Sequence, residues 1–344
     1  MKFTKKVVCK LNRAYSCAPL RYRGQDCILA ASEKNDSCLL FASNGRLLDT
    51  IWTSVGGTMS IEQLPKHDGH FIAIQKFYSP TESQDAQLVY VYPEDGVWRV
   101  RLIAPLPFVH RFAILRSNGR TFLLAATLKT RQSDENPWLE DGKLWAAELP
   151  DFESFHRNCR LEMKPILEGL KKNHGFLKQE MADGDHAFVC AENGVFRVAP
   201  PKSESSSWEI EQILKQPASD IGLVDLDSDG MDEMIIFSPF HGDVLRVYKK
   251  DIHGYTCVFE QNHLDFLHAI WGGHFHGVPM ALIGHRQNGG RLYALTYNCG
   301  SYALDIIDSG CGPSNVGVFK IDGSDTIWAM NCETNEIAMY SCAH

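Results

Sequence analysis

Two short apolar runs flank an acidic turn in the segment Asp220-Ile-Gly-Leu-Val-Asp-Leu-Asp-Ser-Asp-Gly-Met-Asp-Glu-Met-Ile-Ile-Phe237. The chain continues with a turn at His241-Gly-Asp, an apolar run from Val244, a turn at His253-Gly and a last apolar run from Tyr255. Short runs of β-branched and aromatic residues that end in Gly, Asn or Asp are typical of strands joined by tight turns. The segment therefore predicts a four-stranded antiparallel meander of about 40 residues.

This unit recurs along the chain. Similar units open near residues 16, 58, 110, 174, 220, 268 and 315, so that successive openings lie 42, 52, 64, 46, 48 and 47 residues apart. A period of about 40–50 residues with four strands per unit is typical of a β-propeller. The last unit supplies only three strands, and the apolar segment 6–11 is left over at the other end of the chain. The sequence predicts one all-β domain over residues 1–344, a seven-bladed β-propeller whose last blade the N-terminal strand closes.

Charge and hydropathy indicate which classes of partner the protein is not expected to bind. The 344 residues carry 34 Lys and Arg against 42 Asp and Glu, a formal net charge of −8. This balance argues against a protein that coats nucleic acid. No run approaches the roughly 18 apolar residues of a membrane span, and Lys10 interrupts the only apolar stretch that could begin an export signal. The 11 cysteines are odd in number and contain no CxxC pair. Free thiols and a cytoplasmic location are therefore expected, without nucleic-acid or membrane partners.

Histidines recur at one position of the repeat. In a propeller blade the first strand lines the central channel, and its start lies on the same face as the end of the second strand. His110, His174 and His268 occupy equivalent first-strand starts. Imidazoles that converge from several blades suit a divalent metal, and histidine also suits general acid–base catalysis. The alternative is that each histidine only hydrogen-bonds a backbone group between blades.

Other polar residues are predicted at the same mouth. The candidate catalytic residues are His241, His285, Arg286, Lys76, Tyr78 and Lys129. In an elimination one of these histidines would be the base, the arginine would hold a carboxylate, and a lysine or the tyrosine would be the acid. The candidate substrate-binding residues are Asp220, Glu192 and Asn315.

The acidic turn in segment 220–237 has the oxygen spacing of a calcium loop. Alternating carboxylates, a glycine for the tight turn, a backbone carbonyl and a final glutamate provide such a ligand set. The predicted structural calcium ligands are Asp225, Asp227, Asp229, the Met231 carbonyl and Glu233. This turn is expected on the face away from the histidines, and the alternative is an acidic hairpin turn without an ion.

The segment 220–236 resembles the FG-GAP (VCBS) propeller repeat, in which an acidic turn joins two apolar strands. The match covers one blade, and the other six have lost the acidic loop. Among propellers of this type, the histidine-rich mouth is similar to that of aldos-2-ulose dehydratase and the propeller polysaccharide lyases. The resemblance implies a reaction class, elimination across a sugar C–C bond with histidine, tyrosine, lysine or arginine beside a metal.

The sequence thus favours a metal-dependent carbohydrate lyase or dehydratase that acts on a small keto-sugar or uronoside. One alternative is a propeller without catalytic activity that binds a ligand or a protein, a common use of this fold. Another is a metal-dependent hydrolase or epimerase of sugars or lactones. No GxSxG, GxxxxGK or GxGxxG motif appears in the required context, which argues against nucleotide-dependent chemistry.

Overall fold

The computed structural model describes residues 1–321 and 323–342, so the end of the predicted domain, residues 343 and 344, lies outside the described part. The described residues form 29 strands and two short helical segments. The strands are β1 (Phe3–Lys10), β2 (Ala14–Tyr22), β3 (Gln25–Ser32), β4 (Cys38–Ala42), β5 (Leu47–Trp52), β6 (Ile61–Gln63), β7 (Phe71–Gln75), β8 (Gln87–Glu94), β9 (Val97–Pro105), β10 (Val109–Ser117), β11 (Arg120–Thr127), β12 (Lys129–Arg131), β13 (Glu140–Leu149), β14 (Lys164–Leu170), β15 (Gly175–Met181), β16 (Gly184–Ala191), β17 (Gly194–Ala199), β18 (Glu209–Leu214), β19 (Asp220–Val224), β20 (Glu233–Ser238), β21 (Val244–Asp251), β22 (Gly254–Gln261), β23 (Leu267–Phe275), β24 (Val278–His285), β25 (Arg291–Asn298), β26 (Ser301–Ser309), β27 (Pro313–Ile321), β28 (Ser324–Asn331) and β29 (Glu336–Cys342). The helical segments are α1 (Phe152–Arg157) and a 3₁₀ turn (Cys332–Thr334).

Within the described ranges the strands pair into seven antiparallel sheets, which confirms the predicted seven-bladed propeller. Five sheets consist of four consecutive strands, from β2–β5 to β23–β26. The third sheet, built on β10, has a fifth short strand, β12, beside β13. The long third repeat interval therefore contains β12 as well as α1. The last sheet has the order β1-β29-β28-β27, so the N-terminal strand closes it as predicted.

Apolar side chains between neighbouring sheets hold the blades together. One such core joins Ile235 and Phe237 of β20 to Ile283 of β24 in the next blade, and all three are fully buried. The second strand of each blade lies between two covered faces and reads as a nearly continuous apolar run. In the outermost strands, covered and exposed side chains alternate, or most side chains are exposed, as in β22.

The innermost strands carry β-bulges at the start of four blades. The antiparallel register shifts between Ala14 and Ser16, Val109 and Arg111, Leu267 and Ala269, and Pro313 and Asn315. A bulge bends its strand and redirects the side chain of the extra residue. The skipped residues are Tyr15, His110, His268 and Ser314, and all four are buried at the channel.

Candidate functional site

A cavity of about 360 Å³ opens at one mouth of the propeller. Its walls come from the starts of innermost strands and from loops that follow second strands, as propeller geometry requires. We call this space the histidine cavity. It is lined by Arg13, Tyr15, Glu33, Met59, Phe77, Pro80, His110, Leu128, His174, His241, Phe266, His268, Arg286, Gln287 and Glu333.

Four imidazoles meet at the base of this cavity. One nitrogen each from His174, His241 and His268 lies within 4.8 Å of the other two, and His174 Nε2 is 3.3 Å from His241 Nε2. The ring centre of His110 lies 4.4 Å from that of His174. The structure thus brings together the three histidines predicted as metal ligands. The closest group of three, however, contains His241 in place of His110.

Backbone carbonyls determine which nitrogen of each ring faces the cavity. His110 Nδ1 lies 3.2 Å from the His174 carbonyl oxygen, His174 Nδ1 lies 2.9 Å from that of Ser219, and His268 Nδ1 lies 2.7 Å from that of Ser314. A carbonyl oxygen only accepts, so each Nδ1 donates its hydrogen and each Nε2 keeps a lone pair. Metal-binding histidines are typically oriented in this way. The blade-to-blade bonds therefore do not exclude a ligand role, because they leave the inward nitrogen available.

Burial keeps these rings neutral. It is the main reason why the pKa values of His110, His174 and His268 lie well below the ordinary histidine value. Burial, followed by the charge of Arg286, lowers the pKa of His241 to about 3. A neutral imidazole can ligate a metal or accept a proton, whereas an imidazolium cannot. Near pH 7 all four rings are in the form that a metal site requires.

Tyr15 is a functional candidate that the sequence analysis missed. Its hydroxyl lies 3.3 Å from His110 Nε2 and 3.2 Å from His268 Nε2. The hydroxyl has one hydrogen, so it can donate to only one of these nitrogens at a time. Burial raises the pKa of Tyr15 to about 12, and the positive charge of Arg111 opposes this rise. The signal in the sequence was available, since Ala14-Tyr15-Ser16 stands in its blade where Val109-His110-Arg111 stands in another.

Arg286 is the predicted carboxylate-binding residue that lines the histidine cavity. Its guanidinium donates to Glu333 Oε1 at 2.9 Å and lies 3.7 Å from a Glu33 oxygen. It also lies over the Phe266 ring, 4.9 Å from the ring centre. Two acidic partners and an aromatic face hold this cation at the cavity wall.

Five other predicted residues have their polar groups outside the cavity lining. Tyr78 donates its hydroxyl to the Val55 carbonyl oxygen at 2.6 Å, and Glu192 forms an ion pair with Lys172 at 2.6 Å. Lys129 is fully buried, and burial lowers its pKa to about 8. The remaining two are the half-buried Lys76 and the buried His285, whose Nδ1 faces the Asp265 carbonyl oxygen at 3.3 Å.

Asp220 and Asn315 lie at the other end of the channel. They line a second cavity of about 270 Å³, which we call the opposite cavity. Asp220 follows Ser219, whose carbonyl oxygen accepts from His174, and Asn315 follows Ser314, whose carbonyl oxygen accepts from His268. At two of the bulges, adjacent residues line different cavities. Tyr15 and His110 line the histidine cavity, whereas the next residues, Ser16 and Arg111, line the opposite cavity.

The acidic turn between β19 and β20 brings the predicted calcium ligands together. Oxygens of Asp225, Asp227 and Asp229 lie within 4.8 Å of one another. The Lys249 ammonium forms ion pairs with Asp227, with Asp229 at 2.7 Å and with Glu233 at 3.5 Å. The other predicted ligand residue, Met231, donates its backbone N–H to Asp229 Oδ1. The spacing fits a cation, and a lysine from the neighbouring strand supplies one positive charge.

Comparisons with known proteins concern the fold. No protein-family profile matches this sequence, and no curated protein does. No helix in the described ranges is long and apolar enough to cross a membrane. The structure of AofleA from Arthrobotrys oligospora is similar at 11% identity over 90% of each chain, with a TM-score of 0.46. A streptogramin B lyase structure is similar at 11% identity over 99% of this chain and 98% of that one, with a TM-score of 0.54. The chain is a seven-bladed β-propeller, and its likeness to that lyase is one of fold.

Proposed function

We propose that this protein is a divalent-metal-dependent lyase that eliminates across a C–C bond of a small carbohydrate, a keto-sugar or a uronoside. The observation that carries the proposal is the group of three imidazole nitrogens within 4.8 Å of one another at the base of an open cavity. The FG-GAP-like segment and the resemblance to propeller dehydratases and lyases support the reaction class. A streptogramin B lyase shares the fold, so the fold is compatible with lyase activity.

His174, His241 and His268 would hold the metal, with His110 beside them. Three neutral nitrogen donors suit a transition ion of the zinc class better than Mg²⁺ or Ca²⁺, which prefer oxygen ligands. A metal bound here would act as a Lewis acid on a substrate carbonyl or carboxylate. The carbonyl-anchored Nδ1 atoms of His174 and His268 would hold their rings in the ligating orientation without further rearrangement.

Tyr15 is the residue to which we assign the proton steps. In an elimination the C–H bond next to the carbonyl group breaks, a C=C bond forms and the C–O bond to the leaving group breaks. The Tyr15 oxygen would take the α-proton while its own hydrogen passes to His110 Nε2, 3.3 Å away. The tyrosine would then give a proton to the leaving oxygen and recover one from His110. In this assignment Tyr15 replaces the acids predicted from the sequence, Tyr78, Lys76 or Lys129. It also replaces the predicted bases, His241 or His285.

The side chains that line the histidine cavity suit a small polar substrate. Phe77 and Phe266 provide apolar faces of the kind on which sugar rings pack, and Arg286, paired with Glu333 and Glu33, provides polar groups beside them. Glu192 and Asn315, predicted to bind substrate, have no part in this assignment. The walls around Phe77 and Phe266 would instead orient the sugar.

Metal content tests the ligand assignment. We expect purified protein to contain close to one transition-metal ion per chain by elemental analysis, and His241→Ala and His268→Ala to lose most of it. His253→Ala, in an exposed turn, is the matched control and should retain the metal. A wild-type protein that binds no transition metal after incubation with zinc, manganese or iron would refute the metal site.

The Tyr15→Phe variant tests the proton steps separately. We expect turnover of keto-sugars or uronosides, followed by the absorbance of the enone or unsaturated uronate product, to fall by about 10²–10⁴-fold. Metal content should not change, because the phenol is not one of the three closest ligands. The control is Tyr78→Phe, whose hydroxyl bonds a loop carbonyl. Equal activity in wild type and Tyr15→Phe would remove Tyr15 from the mechanism, and no turnover of any such substrate by the wild type would contradict the lyase.

A further inference from the structure

The opposite cavity is a second candidate binding site at the far mouth of the same channel. Its lining comes from the innermost strands of all seven blades or from residues directly before them. Among residues 1–321 and 323–342, only Met59 and His268 line both cavities, so these residues belong to the partition between them. At about 270 Å³ the opposite cavity is smaller than the space a drug-sized ligand needs. It therefore suits a small molecule.

Two charged residues in the described part of this cavity form no ion pair and can bind a ligand. Arg111 donates one N–H to the Met59 carbonyl oxygen at 2.7 Å, and no ion pair joins it to a carboxylate among residues 1–321 and 323–342. Asp220 is buried and accepts the N–H of Ile221 at 3.0 Å, and within those ranges it has no cationic partner in an ion pair either. The cavity thus presents one cation and one anion that are not paired with each other.

The other charged pair in the wall is already satisfied. Glu62 Oε1 meets Lys178 Nζ at 2.8 Å, and the second oxygen of Glu62 accepts the N–H of Ile114 at 2.8 Å. Lys178 also donates to the Ile114 carbonyl oxygen at 2.5 Å. These internal bonds leave Arg111 and Asp220 as the charges available to a ligand.

A buried hydroxyl gives an independent indication of a ligand. Ser16 lines the cavity and is 2% exposed, and its Oγ has no hydrogen-bond partner in the described part of the chain. An unpartnered buried polar atom is costly, so such atoms in native proteins usually face a water, an ion or a ligand. Beside these polar groups stand the apolar side chains of Ile61, Phe176 and Ile270.

We propose that the opposite cavity binds a small apolar α-amino acid. The carboxylate would pair with Arg111 and accept from Ser16 Oγ, the ammonium would pair with Asp220, and the apolar side chain would pack against Ile61, Phe176 and Ile270. Arginine is well suited to a carboxylate because its planar fork can donate two parallel hydrogen bonds. A zwitterion matches a pocket whose cation and anion form no ion pair with each other or with another residue that the structure describes.

Calorimetric titration with three matched probes tests this site. Valine carries both charged groups, isovalerate lacks the ammonium and isobutylamine lacks the carboxylate. We expect valine to bind at least about tenfold more tightly than either analogue, as expected for the loss of one charge-assisted hydrogen bond. The readout is binding heat, so it does not depend on turnover or on the metal of the histidine cavity.

Variants assign the two charges. Asp220→Asn should weaken valine binding at least about tenfold and abolish the preference for valine over isovalerate. Arg111→Gln should abolish the preference for valine over isobutylamine, and Arg111→Lys should restore part of it. Arg246→Gln, whose arginine pairs with Glu260 on β22, is the control and should bind like wild type. The thermal midpoint of each variant verifies folding. Absence of valine binding by the wild type, or equal affinity for valine and isovalerate, would overturn the proposal.

Discussion

At the scale of single residues, burial determines the protonation of the side chains around the channel. It lowers the pKa of His241 to about 3 and raises that of Tyr15 to about 12. Both groups are therefore neutral near pH 7. Burial also affects the pKa of Lys129. Its ammonium lies under the rings of Phe108 and Trp138, 4.9 Å from each ring centre. Burial lowers its pKa from 10.5 to about 8.

The lowered pKa of Lys129 predicts a pH-dependent stability. Between about pH 8 and 10.5 the unfolded chain holds a proton on this lysine that the folded chain has released. Because the unfolded state binds more protons, this group adds stability as the pH rises through that window. We expect the free energy of unfolding of wild type, relative to Lys129→Met, to increase over this range in denaturant titrations. Lys171→Met, at an exposed lysine, should show no such trend. A constant difference between wild type and Lys129→Met would contradict the prediction.

At the scale of strands and turns, the sequence predicted the blades well and the site only in part. Turn residues and short apolar runs recur with every blade, so the repeat identifies seven sheets and the closing strand. The bulges at Tyr15 and Ser314 do not interrupt an apolar run, so the only signal for Tyr15 is that it occupies the position of His110 in another blade. The repeat therefore predicts the opening of the first blade near residue 16, one residue after Tyr15. The repeat also predicts Asn315 at the histidine mouth, whereas this residue follows the bulge at Ser314 and lines the opposite cavity.

Loops explain the other differences. The polar groups of Tyr78 and Lys129 are engaged by nearby backbone carbonyls, from Val55 and Pro137 respectively. Such bonds depend on how a loop folds back, which periodicity does not describe. The convergence of His241 on His174 likewise depends on the loop after β20.

The acidic turn between β19 and β20 predicts that the Lys249 ammonium and calcium compete for the same carboxylate oxygens. Lys249→Met removes the ammonium that forms ion pairs with Asp227, Asp229 and Glu233. We expect this variant to lose a few degrees of thermal midpoint, because the carboxylates then repel one another. Calcium at about 1 mM should restore the midpoint and should stabilise the wild type less, since the lysine competes for the same oxygens.

Lys250→Met is the matched control for this turn, because its lysine lies next in the chain and is exposed. Its thermal midpoint should stay close to that of wild type with or without calcium. If calcium raised the midpoints of wild type and Lys249→Met equally, the lysine would not occupy the cation position.

At the scale of the whole molecule, one strand joins the two ends of the chain. β1 pairs with β29 from Phe3 opposite Cys342 to Lys10 opposite Glu336. Lys5 reinforces this pairing through ion pairs with Glu336 at 2.6 Å and with Asp308 of the preceding blade at 3.0 Å. Because the channel needs all seven blades in a ring, both cavities depend on this closure.

Deletion of residues 1–10 tests the closure. The variant would lose a strand's ladder of hydrogen bonds, worth several kcal/mol at about 0.5–1.5 kcal/mol each, and expose the edge of β29. We expect a thermal midpoint lower by about 10 °C and association of the truncated chains through the free edge, measured by scanning calorimetry and by light scattering after size exclusion. Deletion of residues 1 and 2 alone, which precede β1, should change neither property. A synthetic peptide of residues 1–11 should reverse the association, because it can pair with β29. A truncated chain with the scattering mass and the midpoint of the full chain would show that the ring holds without its N-terminal strand.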